Sequence, residues 1–241
     1  MHNNIEWAIL KDNFTLAQRN DKFKFGTDAV LLSHFATIKA KHNVVDLCCG
    51  TGAVGFLSYL RYNTSKTILT DIDNDMVELS KLSAQKNGVS DRFIHITSDL
   101  YDLDSKIIPN QWADYITVNP PYFYNNSGKL NNNSDVTVAR HCDDDFLNII
   151  FKKADFFLKF GGKIAMINRC EYLADIIFNM KKNNIEPKRI RFVHSFSDKN
   201  SNLVLIEGMK GASPSIICEP PLILYEKNGE ITEEFKKIQE I

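Results

Sequence analysis

The sequence has no long hydrophobic run, no excess of either charge and no closely paired cysteines. No apolar stretch in its 241 residues approaches the roughly 18–20 residues that a membrane-spanning helix needs, and the N-terminus lacks the basic and then apolar pattern of a signal peptide. We therefore expect a cytoplasmic protein without a membrane partner. Hydrophobic residues make up 44% and charged residues 24%, which excludes wholesale disorder.

Cysteine spacing and charge limit the chemistry further. The five cysteines form no Cys-x-x-Cys pair and no metal-ligand spacing with the six histidines, so we expect free thiols and no metal. With a net charge of −1, a nucleic-acid partner would have to be held by a local basic patch. Two basic clusters, 19–24 and 181–191, are available, although a solvated surface is the commoner role of such runs. Nothing indicates an obligate protein partner.

From residue 43 onward, β-branched apolar runs alternate with amphipathic stretches, which is typical of repeated βαβ units. We predict one α/β domain over 1–241, with an N-terminal segment (1–42) and a Rossmann-like core (43–241) built on a seven-stranded, mostly parallel sheet flanked by helices. The predicted strands are 43–48, 66–72, 92–97, 114–119, 162–168, 189–195 and 202–208. The predicted helices are 52–62, 74–87, 143–159 and 170–183, with Asn74 as a cap, and an N-terminal helix capped by Thr27 or Asp28. The Asn-rich segment 124–138 predicts a surface loop.

The segment "VVDLCCGTGAVGF" (44–56) predicts a strand, a glycine turn and a helix start. Gly50 and Gly52 allow the backbone to approach a ligand closely. The glycines at 50, 52 and 55 have the spacing G-x-G-x-x-G, which dinucleotide sites share, so this spacing alone does not exclude a dinucleotide. Asp46, just before the glycines, would repel a pyrophosphate but accommodate a cationic ligand.

Acidic residues recur at the ends of the next two predicted strands. Asp71 ends one of them, where its carboxylate can accept both hydroxyls of a ribose. Asp99 follows the other. A strand-end aspartate is by itself as often a helix cap. Together with "DLCCGTG", the order resembles motif I of class I S-adenosylmethionine-dependent methyltransferases, and the resemblance implies a cofactor site formed by Asp46, Cys48, Gly50, Gly52, Asp71, Ile72, Asp99 (to the adenine amino group), Leu100 and Asn119.

Asn119-Pro120-Pro121-Tyr122 follows the fourth predicted strand, at the edge where α/β sheets bind ligands. The prolines fix the backbone, so the side-chain oxygen of Asn119 and the carbonyl of Pro120 can point at one external amino group. Such acceptors stabilise the positive charge that grows on a nitrogen as it is methylated, and the Tyr122 ring can stack on a base. The structural alternative is a Pro-Pro turn that merely ends a strand.

Nearly the whole chain resembles the bacterial family that methylates N6 of adenosine 37 in valine tRNA. The resemblance lies in "FKFGTDAVLLSHF" (23–35), "VVDLCCGTG" (44–52), "DIDNDMVELSKLSAQKNGV" (71–89), "VNPPYF" (118–123), "ARH" (139–141), "LIEGMKG" (205–211) and "PPLILYEKNGEITEE" (220–234). It implies S-adenosylmethionine as cofactor and a tRNA anticodon loop as substrate. It also implies that Phe25, Thr27 and Asp28 close over the methionine end of the cofactor. Substrate contacts are then expected from Tyr122, Phe123, Arg140, His141, Lys188, Arg189 and Arg191.

Other functions share parts of this pattern. Enzymes that methylate glutamine in release factors also use Asn-Pro-Pro-Tyr, but they typically carry an N-terminal helical domain, and here only about 40 residues precede the first predicted strand. A non-catalytic RNA-binding module on the same fold is a second alternative. A nicotinamide enzyme is disfavoured, because Asp46 would repel the pyrophosphate of its cofactor.

Overall fold

The computed structural model describes residues 5–11, 13–20, 25–121 and 146–240. The strands in this part of the chain are β1 (Ile5–Lys11), β2 (Phe14–Arg19), β3 (Asn43–Leu47), β4 (Lys66–Asp71), β5 (Phe93–Thr97), β6 (Ala113–Val118), β7 (Leu158–Arg169), β8 (Ile185–His194), β9 (Leu203–Lys210), β10 (Ile217–Cys218) and β11 (Leu222–Ile223). The helices are α1 (Thr27–Phe35), α2 (Ala53–Tyr62), α3 (Asn74–Lys86), α4 (Phe146–Phe157), α5 (Leu173–Lys182) and α6 (Glu233–Gln239).

Within the described residues the main sheet has nine strands, in the order β10-β8-β9-β7-β6-β3-β4-β5, with β11 also paired to β8. Strands β3 to β7 are parallel to their neighbours, whereas β9 runs antiparallel between β7 and β8. The chain builds outward from β3 through β4 to β5 and then returns to add β6 on the other side. The carboxyl ends of β3 and β6 therefore meet at a topological switch point, where open α/β sheets bind ligands.

Successive side chains along each strand point to opposite faces of the sheet, so the sheet separates two apolar cores, one on each face. Val44 and Tyr115 face a core shared with α1, α2 and α6, while Val45 and Ile116 face one shared with α4 and α5. A core on both faces makes these strands continuously apolar, as in "NVVDL" and "ADYITV". The fully buried polar side chains inside them, Asp46 and Thr117, are the exceptions that mark the site.

The predicted α/β class and mostly parallel sheet are confirmed, and the seven predicted strands and five predicted helices are all present. Three features were not predicted: the β1–β2 hairpin, the short strands β10 and β11 at the far edge, and the C-terminal helix α6. Some strand boundaries differ from the prediction: β7 and β8 each begin four residues earlier than predicted. Predicted loop 124–138 lies outside the described residues.

None of the helices in the described part of the chain is both long and apolar enough to cross a bilayer.

Candidate functional site

The glycine turn between β3 and α2 requires backbone conformations that favour glycine. Gly50 has φ +53° and Gly52 has φ +84°. A Cβ on Gly52 would lie 2.9 Å from Leu69 Cδ1, whereas a Cβ on Gly50 meets no described atom within 4 Å. Gly52 is therefore needed for packing, and Gly50 leaves open space at the carboxyl edge. Cys48 also adopts a positive φ, 56°, without the freedom of glycine.

Asp46 lies beneath this turn and is 1% exposed. Its Oδ2 accepts a hydrogen bond from the Gly55 amide (3.0 Å) and its Oδ1 accepts one from the Thr117 hydroxyl (2.7 Å). Burial raises the pKa of Asp46 to about 7, because these two hydrogen bonds offset only part of the desolvation penalty. The carboxyl group thus ties α2 to β6. Its predicted direct contact with a cationic ligand stays a prediction.

Asp71 ends β4 at the same edge. Its Oδ2 accepts from the Gly50 amide (2.7 Å) and its Oδ1 from the Asp73 amide (2.9 Å), so the carboxylate is held against the glycine turn. Burial raises the pKa of Asp71, although the backbone donors act in the opposite direction. Each carboxylate oxygen has a second lone pair, which leaves acceptor capacity for a hydroxyl. The next residue, Ile72, is 47% exposed, unusual for a large aliphatic side chain.

The predicted adenine contacts follow β5. Asp99 is partly buried, and its Oδ1 accepts from the Tyr101 amide at 3.0 Å. Leu100 is buried and packs in the core of the α4 face. β5 is held beside β4 because the Ser98 amide donates to the Asp71 carbonyl at 2.9 Å. The Asp99 turn therefore lies next to the Asp71 turn at the carboxyl edge.

Asn119 and Pro120 leave β6 directly beside the glycine turn. Val118 is in register with Leu47 on β3, so Asn119 and Cys48 continue from paired positions. Asn119 is partly buried, Pro120 is buried and Pro121 is exposed. The predicted substrate residues Tyr122, Phe123, Arg140 and His141 lie outside the described residues.

The segment before α1 differs from its prediction in one detail. The N-cap of α1 is Gly26, without a side-chain capping bond, so neither Thr27 nor Asp28 caps the helix. Both residues occupy its first turn and are partly buried, and Phe25 packs against the core shared with α1 and α2. Their proposed role over the cofactor stays a prediction. At α3 the cap is Asp73, which accepts from the Asp75 amide, rather than Asn74.

The basic cluster at 181–191 is engaged within the protein. Lys188 donates to the Ser213 carbonyl and to the Ser215 hydroxyl. Arg189 is paired with Glu207 and with Glu219 (2.7 Å) and is 19% exposed in its side chain.

Arg191 completes the predicted set. It pairs with Glu234 at 2.5 Å and donates to the Pro220 carbonyl. These cations hold the C-terminal segment onto β8, so their predicted contacts with phosphates would compete with existing partners. Of the other cluster, Lys22 and Lys24 lie outside the described residues.

Two residues that organise the site were missed by sequence reasoning. Thr117 anchors Asp46, and Asp73 both caps α3 and donates its amide to Asp71. A polar residue in the middle of the apolar run "DYITVN" was the available signal for Thr117. No comparable signal distinguishes Asp73 from its neighbours in "TDIDND".

The described residues fit the cofactor that the resemblance implies. Open space above Gly50 lies beside the Asp71 carboxylate, with the exposed Ile72 and the Asp99 turn further along the same edge. Gly50, Asp71 and Asp99 would hold the nucleoside part of S-adenosylmethionine, and Ile72 would pack on its adenine. The described side chains named here, those of Asp71, Ile72 and Asp99, include no cation for a pyrophosphate.

Comparisons with known proteins agree with this geometry. The family model described as "Methyltransferase small domain" matches residues 19–188. Among curated proteins, the chain is 27% identical over 206 residues to the tRNA1(Val) (adenine(37)-N6)-methyltransferase of Aliivibrio salmonicida, covering 84% of this chain and 83% of that protein. It is 25% identical to the protein of the same name from Haemophilus influenzae, covering 92% of each.

Solved structures support the fold alone. A predicted O-methyltransferase from Agrobacterium tumefaciens has a TM-score of 0.72 at 20% identity, covering 88% of this chain and 95% of that one. The geranyl diphosphate C-methyltransferase of Streptomyces coelicolor, in complex with S-adenosyl-L-homocysteine, has a TM-score of 0.56 at 14% identity, covering 76% and 79%. The strand order and flanking helices are thus those of methyltransferase structures.

Proposed function

The chain belongs to the methyltransferase small domain family, and on that premise we propose that it transfers a methyl group to N6 of an adenine in tRNA. It is an S-adenosylmethionine-dependent methyltransferase related to tRNA1(Val) adenine-N6 enzymes. The proposed target is adenosine 37 in the anticodon loop of valine tRNA. The names of the curated relatives give N6 of adenine 37 in tRNA1(Val) for those proteins. The proposed location is the cytoplasm.

The observation that carries the proposal is the position of Asn119-Pro120 at the switch point. β6 pairs with β3 through Val118 and Leu47, and β3 leads directly into the glycine turn that Asp46 and Asp71 fix. A rigid pair of acceptors thus leaves the sheet beside the site that fits the cofactor. This placement supports methyl transfer to a group that carries N–H donors.

The chain's own residues would act by orientation and charge stabilisation. Bound S-adenosylmethionine supplies an electrophilic methyl group on its sulfonium. The Asn119 side-chain oxygen and the Pro120 carbonyl would accept hydrogen bonds from the exocyclic amino group and hold its nitrogen in place. As positive charge grows on that nitrogen, these fixed dipoles stabilise it more strongly than the neutral ground state.

Asn119→Ala tests the proposed role directly. Removing one of the two acceptors should lower methyl transfer by roughly 100-fold or more, while calorimetric binding of S-adenosylmethionine stays within a few-fold of the wild-type protein. Asn228→Ala is the matched control, because Asn228 lies in the turn before α6, outside the glycine turn and the ends of β4 and β6, where it bonds to Glu230. Full activity in Asn119→Ala would exclude the proposed role.

Substrate identity is tested by methyl transfer from labelled S-adenosylmethionine to total tRNA lacking the modification, followed by nucleoside analysis. We expect N6-methyladenosine confined to one tRNA. Cofactor binding without methylated RNA would overturn the proposal and favour a protein amide, with the release factor as the next substrate. Failure to bind S-adenosylmethionine at all would favour a non-catalytic RNA-binding module.

A further inference from the structure

Gln18 in β2 carries a buried side-chain amide whose donor is unpaired. The residue is 3% exposed, and in the described part of the chain its Nε2 donates to no acceptor. A buried donor without a partner costs free energy, and native structures rarely keep one unless a ligand or a water supplies the acceptor. The surroundings of Gln18 indicate which acceptor it is built for.

Strand β2 brings Gln18 toward the carboxyl edge of the main sheet. The strand runs along α3 in the direction opposite to that helix. The Ala17 amide donates to the Ser83 hydroxyl at 2.8 Å, near the end of α3. Arg19 NH1 lies 3.2 Å from Asp75 Oδ2, in the first turn of α3. Gln18, which lies between these two residues in sequence, is therefore level with the second turn of the helix.

The end of the glycine turn packs against the same part of α3. A Cβ on Gly52 would lie 3.2 Å from the Cβ of Ser80, which is in the second turn of the helix. Successive side chains of a strand point to opposite sides, so Gln18 points to the same side of β2 as Leu16. Leu16 is fully buried in the core shared with α1 and α2, whereas Ala17 packs in a separate cluster with α3. Gln18 therefore points toward the start of α2.

The start of α2 has unpaired donors of its own. Its N-cap is Gly52, which supplies no side-chain bond, and the amides of Ala53 and Val54 have no acceptor within the described residues. The positive end of the helix dipole lies at the same place. The NH2 group of Gln18 and these first-turn amides thus form a set of donors that suits an anion.

S-adenosylmethionine carries one anionic group, the carboxylate of its methionine end. The named side chains of the cofactor edge, those of Asp46, Asp71 and Asp99, are acidic, so they suit its sulfonium and ammonium groups but not this carboxylate. Because Asp71 and the open space above Gly50 fit the nucleoside part, the methionine end would extend along the rest of the glycine turn toward α2.

We propose that the side-chain amide of Gln18 donates a hydrogen bond to the carboxylate of S-adenosylmethionine, beside the first amides of α2. This inference deepens the proposed function and rests on it. A neutral donor suits this buried place, because a lysine or an arginine would have to be desolvated with its charge whenever the cofactor is absent. Gln18 would contact the cofactor far from its methyl group, so it contributes affinity and selects a cofactor that has the carboxylate.

The test compares S-adenosylmethionine with decarboxylated S-adenosylmethionine, which lacks only the carboxylate, by calorimetric titration. Gln18→Met keeps an unbranched side chain of similar length and removes the donor. Its affinity for S-adenosylmethionine should fall roughly 10-fold or more, whereas its affinity for the decarboxylated cofactor should stay within about two-fold of the wild-type value. Gln85→Met is the matched control, because Gln85 is exposed in the last turn of α3, and it should match the wild-type protein with both ligands.

Urea unfolding without ligand separates a binding role from a structural one. Replacing an unpaired buried donor by an apolar group of similar shape should leave the unfolding midpoint of Gln18→Met unchanged or raise it. Unchanged affinity for S-adenosylmethionine, or an equal loss with both cofactors, would overturn the inference and leave the proposed function standing. A wild-type protein that binds no S-adenosylmethionine would overturn both.

Discussion

The carboxyl group of Asp46 is buried, and burial makes its negatively charged form unfavourable. Desolvation raises its pKa to about 7, and the nearby Asp71 adds to the rise. The Gly55 amide and the Thr117 hydroxyl offset part of that cost. Between pH 3.8, the ordinary pKa of an aspartate, and about pH 7, the folded protein therefore holds a proton that the unfolded chain has released.

The resulting dependence of stability on pH has a definite sign. Because the folded state binds more protons in this window, the Asp46 contribution makes the free energy of unfolding fall as pH rises from about 4 to about 7. Asp46→Asn should remove that part of the slope. Urea unfolding of both proteins at pH 4.5, 6 and 7.5 measures it, and an unchanged difference between the two proteins across this range would contradict the assignment.

The two glycines of the turn should respond differently to the same substitution. Gly52→Ala adds a methyl group 2.9 Å from Leu69 Cδ1 at a positive φ, so we expect a loss of roughly 2–4 kcal/mol in unfolding free energy. Gly50→Ala meets no described atom within 4 Å and should cost about 1–2 kcal/mol, from backbone strain alone. Its methyl group would instead enter the proposed cofactor space.

Urea unfolding and calorimetric titration with S-adenosylmethionine distinguish the two effects. Gly50→Ala should show the larger loss of cofactor affinity relative to its loss of stability. Unimpaired binding by a folded Gly50→Ala protein would contradict the placement of the cofactor over this residue.

At the scale of elements, the β1–β2 hairpin depends on α3 for its place. Asn87, at the end of α3, donates from Nδ2 to the Thr15 carbonyl (2.7 Å) and accepts at Oδ1 from the Thr15 amide (2.9 Å). The Ser83 hydroxyl accepts from the Ala17 amide at 2.8 Å. Two side chains of a helix thus take the role of a neighbouring strand along β2.

Asn87→Ala should detach the hairpin without unfolding the core. It leaves the Thr15 backbone groups without these partners, which costs about 1–3 kcal/mol locally. We expect faster hydrogen exchange at 14–19 by mass spectrometry, with unchanged exchange in β3 and β6. The same replacement at Asn228, which bonds only to Glu230 among the described residues, serves as the control. Unchanged exchange at 14–19 would show that these bonds do not hold the hairpin.

The hairpin also marks the limit of sequence reasoning. Strands β3 and β6 were predicted because each is a continuous apolar run that needs burial on both faces. The hairpin has no comparable run: its partners Ser83 and Asn87 lie 66 and 72 residues away along the chain. Periodicity reports local preference, and it cannot identify a helix side chain that substitutes for a strand. The Asp46 and Asp71 positions were predictable for a different reason, since both lie at strand ends that the pattern itself defines.

At the scale of the whole molecule, Glu207 on β9 links elements that are far apart in sequence. Its fully buried carboxylate accepts from the Thr37 amide and hydroxyl, from the Tyr115 hydroxyl, and from Lys163 and Arg189. Burial by itself would raise the pKa of Glu207, but these donors outweigh it and lower the pKa below 4.5. No sequence pattern predicts such a network, because its members come from the segment after α1 and from β6, β7, β8 and β9.

Glu207→Gln should destabilise the whole fold. The substitution removes the negative charge that pairs with Lys163 and Arg189. We expect the free energy of unfolding to fall by about 3–5 kcal/mol at pH 7. Glu219→Gln is the matched control, because Glu219 pairs with Arg189 but its side chain is 29% exposed, and its loss should be smaller. Equal losses from the two variants would contradict a central role for Glu207.

The pH dependence of the free energy of unfolding gives an independent check, because the contribution of Glu207 changes with pH in the opposite direction to that of Asp46. Since the folded pKa of Glu207 is lowered, its stabilisation is present above about pH 4.5 and is lost as pH falls through the folded pKa. The difference in stability between the wild-type protein and Glu207→Gln should therefore shrink below about pH 4.5. A constant difference down to pH 3 would show that the charge is not the source of the stabilisation.

The insertion of β9 between β7 and β8 has a consequence for protein synthesis. The strands that carry the cofactor edge are complete once Val118 has been made, but β7 obtains its second neighbour only when Lys210 has been added. At about 5–20 residues per second, translation takes roughly 5–20 s to cover that distance. During this interval the nascent chain has an open, apolar sheet edge. Chaperone binding to ribosome-bound intermediates should therefore be strongest just before β9 emerges.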